Sequence, residues 1–99
     1  MKPITLNEVI KEKLNDDEFA VLFEKEKIIN DIAKFIVEMR QGQGLTQTEL
    51  AEKARTTQPV IARLERGMDS RIPSLELLSR IAHALGREIV IDFKLAHHN

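Results

Sequence analysis

The chain has 99 residues, of which 42% are apolar and 31% charged, with a net charge of −1 and no cysteine. That size and composition describe one globular domain with a modest core, at a length where a partner subunit often adds stability. They exclude a disordered chain, a disulfide framework and a thiolate metal site, and they fit a reducing cytoplasm.

No apolar run approaches the roughly 18–20 residues of a membrane span. The opening Met1-Lys2-Pro3-Ile4-Thr5 lacks the apolar core of a secretion signal. A cytoplasmic protein with no membrane partner is expected. Charge is unevenly spread. Residues 1–39 carry 6 Lys/Arg against 9 Asp/Glu, residues 40–71 carry 6 against 4, and residues 72–99 carry 3 of each. An acidic head followed by a basic middle suggests two surfaces for two kinds of partner.

In chain order, Thr5-Leu6-Asn7-Glu8 has the form of a capping box. Leu6, Val9, Ile10 and Leu14 follow at helical spacing, which predicts a short helix over about 6–14. Asn15-Asp16-Asp17-Glu18 is a second helix start, with acidic groups placed to satisfy free N–H groups, and Phe19, Leu22 and Phe23 form an apolar stripe. Ile28, Ile29, Ile32, Phe35, Ile36 and Met39 repeat at three and four residues. They predict an amphipathic helix ending near Gln41-Gly42-Gln43-Gly44.

Thr46-Gln47-Thr48-Glu49 is another capping box and opens a short helix carrying Leu50, Ala51 and Ala54. A turn falls at Arg55-Thr56. Thr57 caps the next helix, where Pro59 is tolerated in the first turn, and Gly67 ends it. Ser74 caps a further helix carrying Leu75, Leu78, Ile81, Ala82 and Leu85, with Gly86 at its end. Glu88-Ile89-Val90-Ile91-Asp92-Phe93-Lys94-Leu95 then alternates on a period of two, a strand pattern. No second strand is visible in the sequence. A lone strand leaves backbone groups unpaired, so pairing with the same strand of a second copy is expected through Ile89, Ile91 and Phe93.

Two short helices joined by a tight turn can set the second into the DNA major groove while the first crosses the backbone. Such a pair needs a small residue where the helices cross, which Ala51 supplies. It needs apolar groups behind the second helix, supplied by Leu50, Ile61 and Leu64. Its outer face needs hydrogen-bonding groups, for which Thr57, Gln58 and Arg63 qualify, with Ala62 small enough for close approach.

The run Leu45-Thr46-Gln47-Thr48-Glu49-Leu50-Ala51-Glu52-Lys53-Ala54, followed by Thr57-Gln58-Pro59-Val60-Ile61-Ala62-Arg63-Leu64-Glu65-Arg66-Gly67, resembles the Xre/phage-repressor helix-turn-helix family. With its flanking helices the likeness covers about residues 27–86. The acidic phrase at Asp16–Phe19 and the terminal strand narrow the likeness to HigA-type antitoxins of bacterial toxin–antitoxin pairs. The resemblance implies a mainly α protein with a lambda-repressor-like helix-turn-helix domain. It has an N-terminal helical extension over 1–26, the DNA-binding domain over 27–86, and one C-terminal strand over 87–99 that pairs across a dimer.

It also implies roles. Gln47, Thr57 and Gln58 approach phosphates and bases, and Gln58 pairs with adenine. Pro59 and Val60 offer apolar contact to a thymine methyl. Arg63 reaches guanine or phosphate, and Arg66 and Arg71 bind the backbone or adjacent minor groove. Asp16, Asp17, Glu18, Phe19 and Phe23 form either a capped helix packed on the domain or a docking surface for a RelE/HigB-like ribonuclease toxin. The implied protein is a bacterial, nucleoid-associated homodimer. It binds a double-stranded operator, represses its own operon and neutralises a toxin. The rival reading is a free-standing repressor without a toxin; a further rival is a protein–protein adaptor.

Two positions depart from the family. Arg55 stands where members carry glycine in the turn, and a left-handed backbone there costs on the order of 1 kcal/mol. Pro59 replaces a polar residue and removes one base contact. No nucleophile–base pair, metal-ligand spacing or phosphate loop is present, so no enzyme, metal or cofactor is expected. His83 reads as a helix-surface residue, and His97-His98 as a terminal pair without a third ligand.

Overall fold

The computed structural model describes residues 16–67 and 71–95. Among them are four helices: α1 (Asp16–Gly42), α2 (Gln47–Lys53), α3 (Gln58–Arg66) and α4 (Leu75–Ala84). The helix expected over 6–14 and the pair His97-His98 lie outside the described residues.

α1 is a single helix of 27 residues, running unbroken through residues 26 and 27. Between Asp16 and Gln41 the sequence contains neither glycine nor proline, so nothing interrupts the hydrogen-bond ladder between its two apolar stripes. Along α1, Ile29, Ala33 and Ile36 in the C-terminal half are buried, whereas Val21 and Phe23 nearer its start are exposed.

Three helices end in the same local device. Beyond the last helical carbonyls the chain takes one left-handed residue, and two N–H groups fold back. For α1, Gly44 (φ 69°) is that residue, with Gly44 N–H donating to Gln41 O at 3.0 Å and Leu45 N–H to Arg40 O at 3.1 Å. For α4, Gly86 holds the place, with Arg87 N–H donating to Ala82 O at 2.8 Å. For α2 the residue is Arg55 at φ 55°, with Thr56 N–H donating to Ala51 O at 2.9 Å and Arg55 N–H to Glu52 O at 3.2 Å. The turn therefore keeps the conformation glycine favours, and an arginine bears its steric cost.

α3 stops at Gly67, φ 65°, where a Cβ would lie 3.1 Å from Asn30 Oδ1 and 3.2 Å from Ala33 Cβ. That glycine serves the turn and also lets the end of α3 press against α1. The core is Ile36 from α1, Leu50, Ala51 and Ala54 around α2, Ile61 and Leu64 from α3, and Ile81 and Leu85 around α4. Leu50 and Ile61 are wholly buried, and Ala51 is small and buried where α2 meets α3. Gln43 Nε2 donates to Leu85 O at 2.8 Å, tying the α1–α2 turn to the end of α4.

The strand expected over 87–99 is not formed in the described part of the single chain. Among the described residues there is no strand, and 87–95 form neither helix nor ladder. Val90, Phe93 and Leu95 are 86%, 94% and 88% exposed. The physical reason is the one that makes lone strands unstable: a ladder requires a neighbour, and a single chain supplies none. No helix among the described residues is long and apolar enough to cross a membrane.

Candidate nucleic-acid interface

α2 begins with a complete capping box. Glu49 N–H donates to Thr46 Oγ1 at 3.0 Å, and Thr46 N–H donates to Glu49 Oε1 at 3.1 Å. The Thr46 backbone N–H, then its hydroxyl, hold the Glu49 carboxyl below the usual carboxylate range. This sets where Gln47, the first residue of α2, emerges.

α3 begins differently. Thr57 occupies the N-cap with extended backbone, φ −112° and ψ 155°, yet its side chain makes no cap hydrogen bond. The expectation that Thr57 caps the helix is thus met in position but not in bonding. A cap hydroxyl accepts from the second or third helical N–H, and Pro59 has none. The N–H groups of Gln58 and Val60 face forward without intrahelical acceptors, as first-turn donors do.

The tips of the two helices are joined by one hydrogen-bonded chain. Arg40, at the end of α1, grips Glu65 of α3 with both prongs: Nε to Oε2 at 2.7 Å and Nη2 to Oε1 at 2.9 Å. Its third nitrogen, Nη1, donates to Leu45 O at 2.8 Å. Gln47 Nε2 donates to Glu65 Oε1 at 3.1 Å, and Gln58 Nε2 donates to Gln47 Oε1 at 2.8 Å. The two ionic side chains are only 13% and 6% exposed. The Glu65 hydrogen bond raises the Arg40 guanidinium above its ordinary value, keeping it charged.

The direction of this chain is chemically forced. An ionised carboxylate accepts only, so Gln47 must turn its NH₂ toward Glu65 and its oxygen toward Gln58. Gln58 must then offer an N–H to Gln47, leaving its own oxygen and second N–H to face outward. Gln47 and Gln58 share an open, shallow concavity with Thr46, Thr48 and Gly44.

Other site residues fall into two groups. Thr57, Gln58, Pro59 and Arg66 are exposed on α3, and Val60 is half-buried against the core. Arg63 is placed elsewhere. It is half-buried, and with Arg71 it lines a separate crevice against Ile29, Ile32 and Pro73. Five residues past Gln58, it lies about 140° around the helix, so it does not join the Gln47–Gln58 pair. Arg71 is itself exposed.

On the N-terminal half of α1, Phe19 and Phe23 lie with ring centroids 6.5 Å apart and planes 20° from parallel. Phe23, Asp17 and Glu18 are exposed, and Asp16 is the first residue of the helix. Arg40 and Glu65, the two residues that fix the glutamines, went unassigned in the sequence reading. Their separation of 25 positions hides the pair from any local pattern. Among the described residues, no group of three or more His, Cys, Asp or Glu is placed to hold a metal ion.

A relative from Methanothermobacter thermautotrophicus, described as an uncharacterized HTH-type transcriptional regulator, is 53% identical over 57 residues, covering 58% of this chain and 80% of the relative. The helix-turn-helix family profile matches residues 36–91, a stretch that begins on α1 and contains the capped α2, the left-handed turn at Arg55, α3 with its open tip, and α4. The chain is a member of the helix-turn-helix family.

Proposed function

We propose that this chain is a sequence-specific, double-stranded DNA-binding regulator of transcription that works as a homodimer. The observation that carries the proposal is the exposed tip of α3, where Gln58 is held by Gln47 at 2.8 Å. Its outward oxygen and second N–H match the N6 and N7 edge of adenine in the major groove. Orientation is fixed before DNA arrives, so little freedom is lost on binding. The forward N–H groups of α3, with the positive end of its helix dipole, suit a backbone phosphate. Gln47 and Thr57 flank that point. Pro59 and Val60 provide apolar contact to a thymine methyl. Arg66, Arg63 and Arg71 serve the surrounding phosphates or minor groove. Occupancy of a promoter by two such heads blocks or tunes transcription. The relative's description as a transcriptional regulator supports the same reading.

The test is Gln58→Ala in fluorescence-anisotropy titrations on a selected operator, repeated with each adenine in turn replaced. The expected loss is about 1–3 kcal/mol on the intact operator, with nearly none remaining on the operator whose paired adenine is gone. An equal loss on every sequence, or none on any, overturns the assignment of Gln58 as the reader.

A narrower reading makes the chain an antitoxin that represses its own operon and neutralises a RelE/HigB-like ribonuclease. The observation that favours it is the exposed Phe23, stacked on Phe19 beside acidic Asp17 and Glu18, in the first turns of α1. An aromatic and acidic surface suits a basic RNA-binding enzyme. Reversing Asp16 and Asp17 together with Phe23→Ala is expected to abolish capture of such a toxin and to leave operator affinity unchanged. Normal operator repression in a host genome that encodes no adjacent toxin supports the free-standing regulator instead.

A further inference from the structure

Between α1 and α4 runs an apolar groove of about 610 Å³, lined among others by Ile32, Phe35, Leu75, Leu78, Ile89 and Ile91. The chain leaves this groove at 91, and Phe93 and Leu95 beyond it lie almost fully in solvent. An open apolar groove thus continues into an uncovered apolar tail of alternating sequence. This deepens the dimer reading given above and rests on it.

We propose that the groove is closed by the tail of a second copy, in one particular antiparallel register centred on Ile91. Residues directly opposite in an antiparallel pair share a face. To bring the odd-numbered apolar residues of both copies onto the core face, the two-fold axis must fall on a residue and not between two. Five centres, from Ile89 to Phe93, pair at least five residues of the described tail; those at Ile89 and Phe93 pair only 87–91 and 91–95, whereas the centre at Ile91 pairs all of 87–95. With the axis at Val90, Glu88 faces the partner's Asp92 twice over, a like-charge clash. With the axis at Asp92, that carboxylate faces its own copy. With the axis at Ile91, Glu88 faces the partner's Lys94 twice, and no like charges meet.

The same register sets Ile91 against its own copy and Ile89 against the partner's Phe93. Because Ile89 lines the groove, the partner's Phe93 arrives over it, covering the most exposed aromatic ring of the tail. In this register Glu88 and Lys94 are self-complementary under the two-fold operation, which is what an isologous interface demands. That self-complementarity selects a second copy over an unrelated apolar partner.

Sedimentation equilibrium of the full chain separates the registers. Glu88→Lys and Lys94→Glu are each expected to weaken dimerisation about tenfold, and the double variant to restore it. Tightening by Glu88→Lys places the axis at Val90 and overturns the register. Indifference of a dimer to both changes overturns the interface altogether. The chain has no native cysteine, so a disulfide supplies an independent measurement. Opposed Cα atoms sit about 4.5–5.5 Å apart, within disulfide reach. Ile91→Cys is expected to cross-link to its copy faster than Val90→Cys or Asp92→Cys, and a faster reaction at either neighbour overturns the proposal. A wild-type chain that stays monomeric while filling one operator half-site sinks the dimer reading itself, a different result from a misplaced register.

Discussion

Glu65 is where stability and recognition meet in one side chain. Both its oxygens are taken, by Arg40 and by Gln47, and it is nearly shut off from water. Glu65→Gln removes the charge that Arg40 was desolvated to meet. Breaking such a pair costs about 3 kcal/mol, because a half-buried guanidinium is left without its counter-charge. The substitution also removes chemical direction from the chain. A glutamine both donates and accepts, so Gln47 can face it either way round, and Gln58 loses its enforced orientation. Urea unfolding is therefore expected to show a lowered midpoint with unchanged slope, and operator selections a blurred preference at the base read by Gln58. Lowered stability with undiminished base preference would mean that Glu65 supports the fold alone. Arg55 presents the opposite case, a residue paying for its backbone. At φ 55° it occupies a place that glycine fills at the ends of α1 and α4. Arg55→Gly relieves the steric conflict and returns some chain entropy to the unfolded state. The net gain expected is about 0.5–1 kcal/mol in the same unfolding experiment.

At the scale of elements, what the sequence disclosed tracks how far each controlling interaction reaches. The Thr46–Glu49 box, the Ser74 cap and the glycine stops at 44, 67 and 86 are set within a few residues, and their bonds are those the local pattern dictates. The core stripe of Ile36, Leu50, Ala51, Ile61, Leu64 and Ile81 was equally legible, since periodicity fixes which face turns inward. The length of α1 was not. The start at Asn15-Asp16-Asp17-Glu18 matches where α1 begins, but the sequence holds two apolar stripes, 19–23 and 28–39, and only the absence of a breaker between them joins the two into one helix. The half-buried setting of Arg63 is a matter of the same kind. Composition marks it as a DNA-facing cation, whereas its phase on α3 is set by how that helix docks on α1. The capping box of α2 also makes a pH prediction. The Glu49 carboxyl titrates below its ordinary value in the folded chain, so the folded state binds its proton less readily than the unfolded state. Its contribution is complete above the ordinary carboxylate range and is lost as pH falls through the lowered value. The stability difference between wild type and Glu49→Gln is expected to be constant near neutrality and to vanish in acid, measured by unfolding across a pH series. A difference that persists unchanged into acid would assign the effect to the glutamine's own bonding.

At the scale of the whole molecule, the tail carries a strand pattern that the described residues of one chain do not turn into a strand. Alternation at 88–95 announces a strand, yet ladder bonds belong to a pair, and among the described residues these have no ladder partner. What the single chain displays is an apolar groove and an exposed apolar tail. If two copies join there, their α3 tips are fixed relative to each other, and the spacing of DNA half-sites becomes a property of the protein. Two recognition helices on one face of the duplex meet major grooves about 34 Å, or roughly 10 base pairs, apart. Inserting about 5 base pairs between half-sites turns the second groove to the far side of the duplex, where the second head cannot follow without distorting either partner. Binding is expected to fall to that of a single half-site. Inserting about 10 base pairs returns the groove to the same face but at twice the reach, so a rigid tail-to-tail dimer is expected to regain little. Recovery at the longer spacing would indicate heads joined by a flexible connection, whereas indifference to both insertions would indicate two chains binding independently. A protein with substitutions at Glu88 and Lys94 tests the connection directly: the single changes should reduce discrimination between spacings, and the charge-swapped double variant should restore it.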